Sequence, residues 1–128
     1  MKKLILFGDS IMKGVTFNGS GYHLCPDHDL PQLAARGIEI ENHTKMGATI
    51  GDGLRAMDKY LIGCDSQTTV LLGYGGNDCD YDWQAISDAP SADHSPKTAP
   101  DAYIEGMRRA IRKAQDAGAM VAVASLVP

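Results

Sequence analysis

The chain has few of the features that mark a membrane, nucleic-acid or metal protein. Its three cysteines, Cys25, Cys64 and Cys79, are odd in number, widely spaced and without a Cys-x-x-Cys pair. A disulfide framework and a thiolate metal site are therefore not expected, and reduced thiols in a cytoplasmic setting are. No apolar run approaches membrane-spanning length. Met1-Lys2-Lys3 followed by Leu4-Ile5-Leu6-Phe7 imitates a secretory leader, yet the run stops at Gly8-Asp9, short of the roughly 7 to 15 apolar residues a leader needs. Basic residues are outnumbered, 12 Lys and Arg against 16 Asp and Glu for a net charge of −4. The one cluster of bases, Arg108, Arg109, Arg112 and Lys113, falls at helical spacing near a helix C-terminus, which reads as a solvated face meeting the helix dipole and not as a nucleic-acid patch.

Cofactor signatures are missing too. The glycine-rich stretch from Gly47 to Gly53 lacks the Gly-Lys-Ser/Thr of a phosphate-binding loop, and no Gly-x-Gly-x-x-Gly occurs, so its glycines point to close packing. Asp78, Asp80 and Asp82 alternate like the start of a calcium loop, but Trp83 stands at the turn-glycine position and Ala89 at the bidentate-glutamate position. These acids read as caps and loop-solvating groups. No metal and no cofactor are expected, and neither nucleic acid nor a membrane span.

What is present is an alternation of strands and helices over one domain, 1–128, with no repeat or linker. Strands are expected at 3–7, 38–41, 68–72 and 120–127. A short helix is expected at 30–36, with Asp29 as N-cap and Gly37 as its stop. Ile50, Leu54, Met57 and Leu61 recur at helical spacing and predict a helix over 49–61. A second, from Asp101 as cap to Ala117, carries Tyr103, Ile104, Met107, Ala110, Ile111 and Ala114 on its apolar side. Unbroken apolar strands in such units predict a parallel sheet covered by helices on both faces, a three-layer α/β/α fold. The segment from Gly73 to Pro100 is too long for an idle connector.

Three loops then follow strand ends on one rim of the sheet, where open α/β sheets bind ligands. The first is Gly8-Asp9-Ser10, the second runs from Asn42 to Gly47, and the third is Gly75-Gly76-Asn77-Asp78. A serine at a strand-to-helix turn presents its hydroxyl to a cleft and its N–H to an oxyanion. A glycine at the neighbouring end lets a backbone N–H approach unobstructed, and an asparagine amide adds a third donor. A nucleophile with three donors is what acyl transfer requires.

The segments Phe7-Gly8-Asp9-Ser10-Ile11, Gly47 and Gly75-Gly76-Asn77-Asp78 resemble the first three blocks of the SGNH or GDSL-type hydrolases, in order and at the expected strand ends. The resemblance covers the chain as far as it runs. It implies a three-layer, flavodoxin-like α/β/α fold, Ser10 as nucleophile, and an oxyanion hole made of the Ser10 N–H, the Gly47 N–H and the Asn77 amide. It also implies an esterase, lipase or acylhydrolase, or a carbohydrate esterase, acting on small-molecule, lipid or sugar esters through an acyl-enzyme. Asp9 and Asp78 read as braces of their loops. Tyr81 and Trp83 either line an acyl or sugar pocket or anchor their loop, and His94, beside Asp93, lies where it could reach the cleft.

The sequence departs from the resemblance at the fourth block, an Asp-x-x-His near the C-terminus that supplies the base. No Asp here is followed three residues later by His. His23 and His28 read as solvated loop residues and His43 as a rim residue. Adjacent extended side chains point apart, so Asp93 would orient His94 poorly. Met120-Val121-Ala122-Val123-Ala124 is apolar on both faces, as an interior strand is, with nothing after Pro128 to cover it. The expectation is an SGNH-type domain incomplete at its C-terminus, with four strands, the fifth missing, and little activity on its own. Self-association or a complementing C-terminal fragment at the open fourth strand is the corresponding partner expectation. The alternative is a binding module that holds an acyl or carboxylate ligand without turning it over.

Overall fold

The structure, a computed structural model, describes residues 1–25 and 30–125. Its centre is the first apolar run. β1 (Lys3–Gly8) is buried from Leu4 onward with no in-out alternation, because it is flanked by strands on both sides and covered on both faces. β5 (Thr68–Gly73) pairs with it in parallel from Lys3↔Thr68 to Gly8↔Gly73. β4 (Glu39–Asn42) pairs on the other side, and β6 (Met120–Val123) adds to β5, giving the order β4-β1-β5-β6. All pairings within this four-stranded sheet are parallel, so the loops after β1, β4 and β5 emerge on one rim, as the sequence implies.

The chain leaves β1 for β4 in one direction and returns through β5 to β6 in the other. Right-handed crossovers therefore put α1 (Leu30–Ala35) on one face and α2 (Ile50–Tyr60) with α4 (Pro100–Asp116) on the opposite one. The core lies under α2 and α4, where Ile5, Phe7, Val70 and Leu72 meet Ile50, Met57, Ala110 and Ala114. The two helices touch closely, since a Cβ on Gly106 would stand 2.9 Å from Ile50 Cγ1. The basic face of α4 is solvated as expected, with Arg112 on Glu105 at 2.8 Å and Lys113 on Asp58 at 2.6 Å.

Several boundaries differ from expectation. The cap of α4 is Ala99 with Pro100 at the first helical position, so Asp101 sits in the first turn and serves the dipole instead of capping. The expected cap Asp29 lies outside the described residues. The expected fourth strand, 120–127, pairs only as far as Val123, with Ala124 N–H still bonded to Leu72 O at 2.8 Å, and its last residues, 126 and 127, lie outside the described residues.

Three elements, a two-stranded hairpin and a short helix, were not expected at all. The loop after Ser10 contains an antiparallel hairpin of β2 (Val15–Phe17) and β3 (Tyr22–Leu24). Its turn is closed by the Asn18 side chain, which accepts from Ser20 N–H at 3.1 Å and Gly21 N–H at 3.2 Å, with Gly19 at φ 91°. The 73–100 segment contains α3 (Trp83–Asp88), capped by the Asp82 carboxylate accepting from Gln84 and Ala85 N–H at 3.1 Å.

Candidate functional site

Ser10 stands on a tight turn fastened to the end of β5 and to the hairpin strand β2. Asp9 N–H donates to Gly73 O at 3.2 Å, while the Asp9 carboxylate, 4 % exposed, accepts from Ile11 N–H at 2.9 Å. Ser10 O accepts from Val15 N–H at 2.9 Å, tying the turn to the hairpin. Two glycines make the turn sterically feasible, because Met12 folds back across both strand ends. A Cβ on Gly8 would lie 2.6 Å from Met12 Cβ and 2.8 Å from Gly73 O, and a Cβ on Gly73 would lie 2.7 Å from Met12 Sδ.

The second loop is hung on the first. His43 N–H donates to Leu6 O at 2.9 Å and Lys45 N–H to Gly8 O at 3.0 Å. Gly47 turns the chain with φ 71°, a left-handed conformation that glycine adopts without a Cβ penalty. The third loop is bonded to the second. Asn77 Nδ2 donates to Ala48 O at 3.0 Å, one residue beyond Gly47, and the buried Asp78 carboxylate accepts the Ile50 N–H on both oxygens at 3.1 Å. The third loop also meets the first, with Asp9 Oδ2 lying 3.6 Å from where a Gly76 Cβ would be. Ser10, Gly47 and Asn77 thus occur on three adjacent loops that are linked to one another. The second amide hydrogen of Asn77 is left for another acceptor. Asp9 and Asp78 brace these loops, as read from the sequence.

Beside the Ser10 turn lies a cleft of about 40 Å³ lined by Asp9, Ile11, Met12, Gly73, Tyr74, Ala124 and Ser125. Tyr74 is 3 % exposed, its carbonyl accepts from Tyr103 Oη at 2.9 Å, and its ring fills the space where Gly53 has no side chain. Burial, reinforced by the carboxylates of Asp52, Asp9 and Asp78, pushes the Tyr74 phenol above its usual value, so it keeps its proton and can donate a hydrogen bond.

The other candidates are fixed within their own loop. Trp83 is 66 % exposed, donates from Nε1 to Asp80 Oδ1 at 2.8 Å, and has its ring 6.2 Å from that of Tyr81. Asp80 also accepts from Lys97 Nζ at 2.7 Å, which holds its carboxyl below the usual range. His94 Nε2 bonds Ala89 O at 2.9 Å. Of the two roles open to the aromatics, loop anchoring is the one their contacts describe. None of these side-chain bonds reaches Ser10, Gly47 or Asn77.

Nor does a described histidine bond to Ser10. His23 pairs with Thr16 across the hairpin at 3.2 Å, and His28 lies outside the described residues. His43 is stacked between Tyr60, at 4.3 Å between ring centres and 7° between planes, and Phe7, at 5.3 Å and 27°. Its Nε2 lies 3.4 Å from Glu41 Oε2. Glu41 is paired with Lys3, and that bond pulls its carboxyl below the usual range. The stacking partners come from β1 and the end of α2, so the sequence near His43 gives no sign of them. Among the described residues no group of His, Cys, Asp and Glu is arranged to hold a metal, and no helix is long and apolar enough to cross a membrane. The three cysteines are free thiols.

No protein-family profile and no curated protein matches this chain. Solved structures do. A member of the lipolytic protein G-D-S-L family from Veillonella parvula DSM 2008 superposes with a TM-score of 0.61 at 17 % identity, over 94 % of this chain and 56 % of that one. The lipase/acylhydrolase from Enterococcus faecalis superposes with a TM-score of 0.58 at 22 % identity, again over 94 % and 56 %. The chain therefore has the SGNH/GDSL-type α/β/α fold and spans 56 % of the length of each of these two structures.

Proposed function

We propose that this chain carries the nucleophile and oxyanion-binding half of a serine ester hydrolase. The observation that supports the reading best is the linkage of the Ser10, Gly47 and Asn77 loops at one rim of the sheet, through Lys45 N–H to Gly8 O and Asn77 Nδ2 to Ala48 O. In the proposed reaction Ser10 Oγ bonds to the ester carbonyl carbon as its proton passes to a base. The carbonyl oxygen becomes an oxyanion held by the Ser10 and Gly47 N–H groups and the Asn77 amide. Collapse breaks the bond to the alcohol, which leaves with that proton, and water then releases the acid from Ser10. The substrate class is a lipid, sugar or small-molecule ester.

The base is proposed to be a histidine supplied from outside these 128 residues. The reading is supported by the partners of His23, His43 and His94, which tie each of these described rings elsewhere, and by the sequence reading of His28 as a solvated loop residue. Loss of the histidine in a serine triad costs on the order of 10⁶ in turnover. The chain alone is then a weak catalyst that an added base assists. The test is acylation by p-nitrophenyl acetate with and without imidazole, read by intact and peptide mass spectrometry. The expected result is a single acetyl group on Ser10 that appears faster with imidazole and is lost in Ser10→Ala. Rapid Ser10-dependent turnover without imidazole would overturn the external base. No acylation of Ser10 under any condition would overturn the hydrolase and favour the second reading, a module that binds acyl or carboxylate ligands without turnover. That second reading draws on the same bonds of the three histidines.

A further inference from the structure

A groove of about 460 Å³ runs between residues 42–45, at the end of β4, and the outer flank of α2. Its charge is lopsided. Lys45, Arg55 and Lys59 line it against one carboxylate, Asp52, in a chain whose net charge is −4. Asp52 is already engaged, accepting from Thr49 N–H at 3.1 Å, Thr49 Oγ1 at 3.2 Å and Arg55 Nη2 at 2.7 Å. Two of the cations are held in place by the groove's own walls. Arg55 rests on Asp52, and Lys59 Nζ sits 4.7 Å over the Tyr60 ring, which is itself stacked on His43. Groups fixed before a ligand arrives lose less entropy when it binds.

A second observation points to the same place. Tyr74 also lines the groove, and its hydroxyl, on a residue 3 % exposed, forms no hydrogen bond with the described residues. A buried hydroxyl without a partner is costly, and a ligand or water in the adjoining space relieves that cost.

We propose that this groove binds a small organic anion through a phosphate or carboxylate, contacted by Lys45, Arg55 and Lys59 and given a hydrogen bond by Tyr74. The volume suits a small molecule, within the roughly 300 to 1,000 Å³ of ordinary ligand pockets. The site does not require Ser10 chemistry.

Titration of the ¹⁵N-labelled chain with phenyl phosphate, benzoate and neutral benzyl alcohol at low salt tests it. At least one anion saturates, with shifts centred on Lys45, Arg55, Lys59 and Tyr74, and the tighter anion identifies the favoured head group. Benzyl alcohol does not saturate. The paired change Lys45→Gln and Lys59→Gln weakens the tighter anion about tenfold, about 1.4 kcal/mol, and salt weakens its binding to the unaltered chain. Ser10→Ala leaves it unchanged, which separates this site from the hydrolase reading. The proposal fails if neither anion saturates, if benzyl alcohol binds as well, or if salt has no effect.

Discussion

The carboxylate of Asp78 accepts the backbone N–H of Ile50 on both of its oxygens, at 3.1 Å each, across 28 positions of sequence. This one contact joins the Asn77 loop to the start of α2 and so to the Gly47 loop. It also answers one of the unsatisfied donors at a helix N-terminus that is buried. Asp78→Ala leaves that N–H buried and unpaired. A charge-assisted hydrogen bond contributes about 1.5 to 3 kcal/mol, and urea unfolding of the variant is expected to show a loss in that range with an unchanged slope. A loss below about 0.5 kcal/mol would mean that the helix start is anchored by other groups.

Gly73 and Gly8 give a paired prediction about the turn that carries Ser10. The three atoms nearest a methyl at Gly73 all belong to the Met12 side chain, whereas those nearest one at Gly8 include both Met12 and the Gly73 carbonyl. Each Gly→Ala change is expected to cost about 1 to 3 kcal/mol through overpacking. Met12→Ala should recover much of the cost at Gly73 and little of it at Gly8, where backbone blocks relaxation. Double-mutant cycles measured by chemical denaturation check this, and equal recovery at the two sites would contradict the packing described.

Asp52 links stability to pH. Bonding from the Thr49 N–H, helped by Arg55 and the Thr49 hydroxyl, holds its carboxyl below the ordinary value of 3.8. A group whose folded value is depressed stabilises the fold above its unfolded value and loses that contribution as pH falls through the folded value. The stability difference between the unaltered chain and Asp52→Asn is therefore expected to be constant from neutrality down to about pH 5. It should shrink below 3.8 as the carboxylate protonates. Denaturation midpoints measured for both proteins across that range check it, and a difference that grows on acidification would reverse the assigned sign.

The parts legible in the sequence are those fixed by local pattern. Leu4 to Phe7 is apolar without alternation because β1 is an interior strand, and Ile50, Leu54 and Met57 mark α2 by their spacing. The three rim loops follow from where such strands end. The hairpin at Val15–Leu24 was not legible, since each strand has three residues and Phe17, Tyr22 and Leu24 stay exposed. Nothing in its burial separates it from a loop. The partners of His43 were hidden for a different reason. Phe7 and Tyr60 meet it through the register of β4 on β1 and the length of α2, both properties of the assembled fold.

Asn77 allows a structural role to be separated from the proposed chemical one, because one amide hydrogen is spent on Ala48 O and the other is left for another acceptor, the oxyanion in the proposed reaction. Asn77→Ala leaves the Ala48 carbonyl without that donor, at a residue only 2 % exposed, and is expected to cost about 1 kcal/mol of stability. The same change should slow imidazole-assisted acetylation of Ser10 by about 10² to 10³, the usual consequence of losing one oxyanion donor. The two effects are read on the same protein, by urea unfolding and by mass spectrometry at a temperature where the variant stays folded. A variant that is destabilised yet acylated at the original rate would confine Asn77 to bracing the Gly47 loop. The oxyanion would then rest on the backbone N–H groups of Ser10 and Gly47 alone.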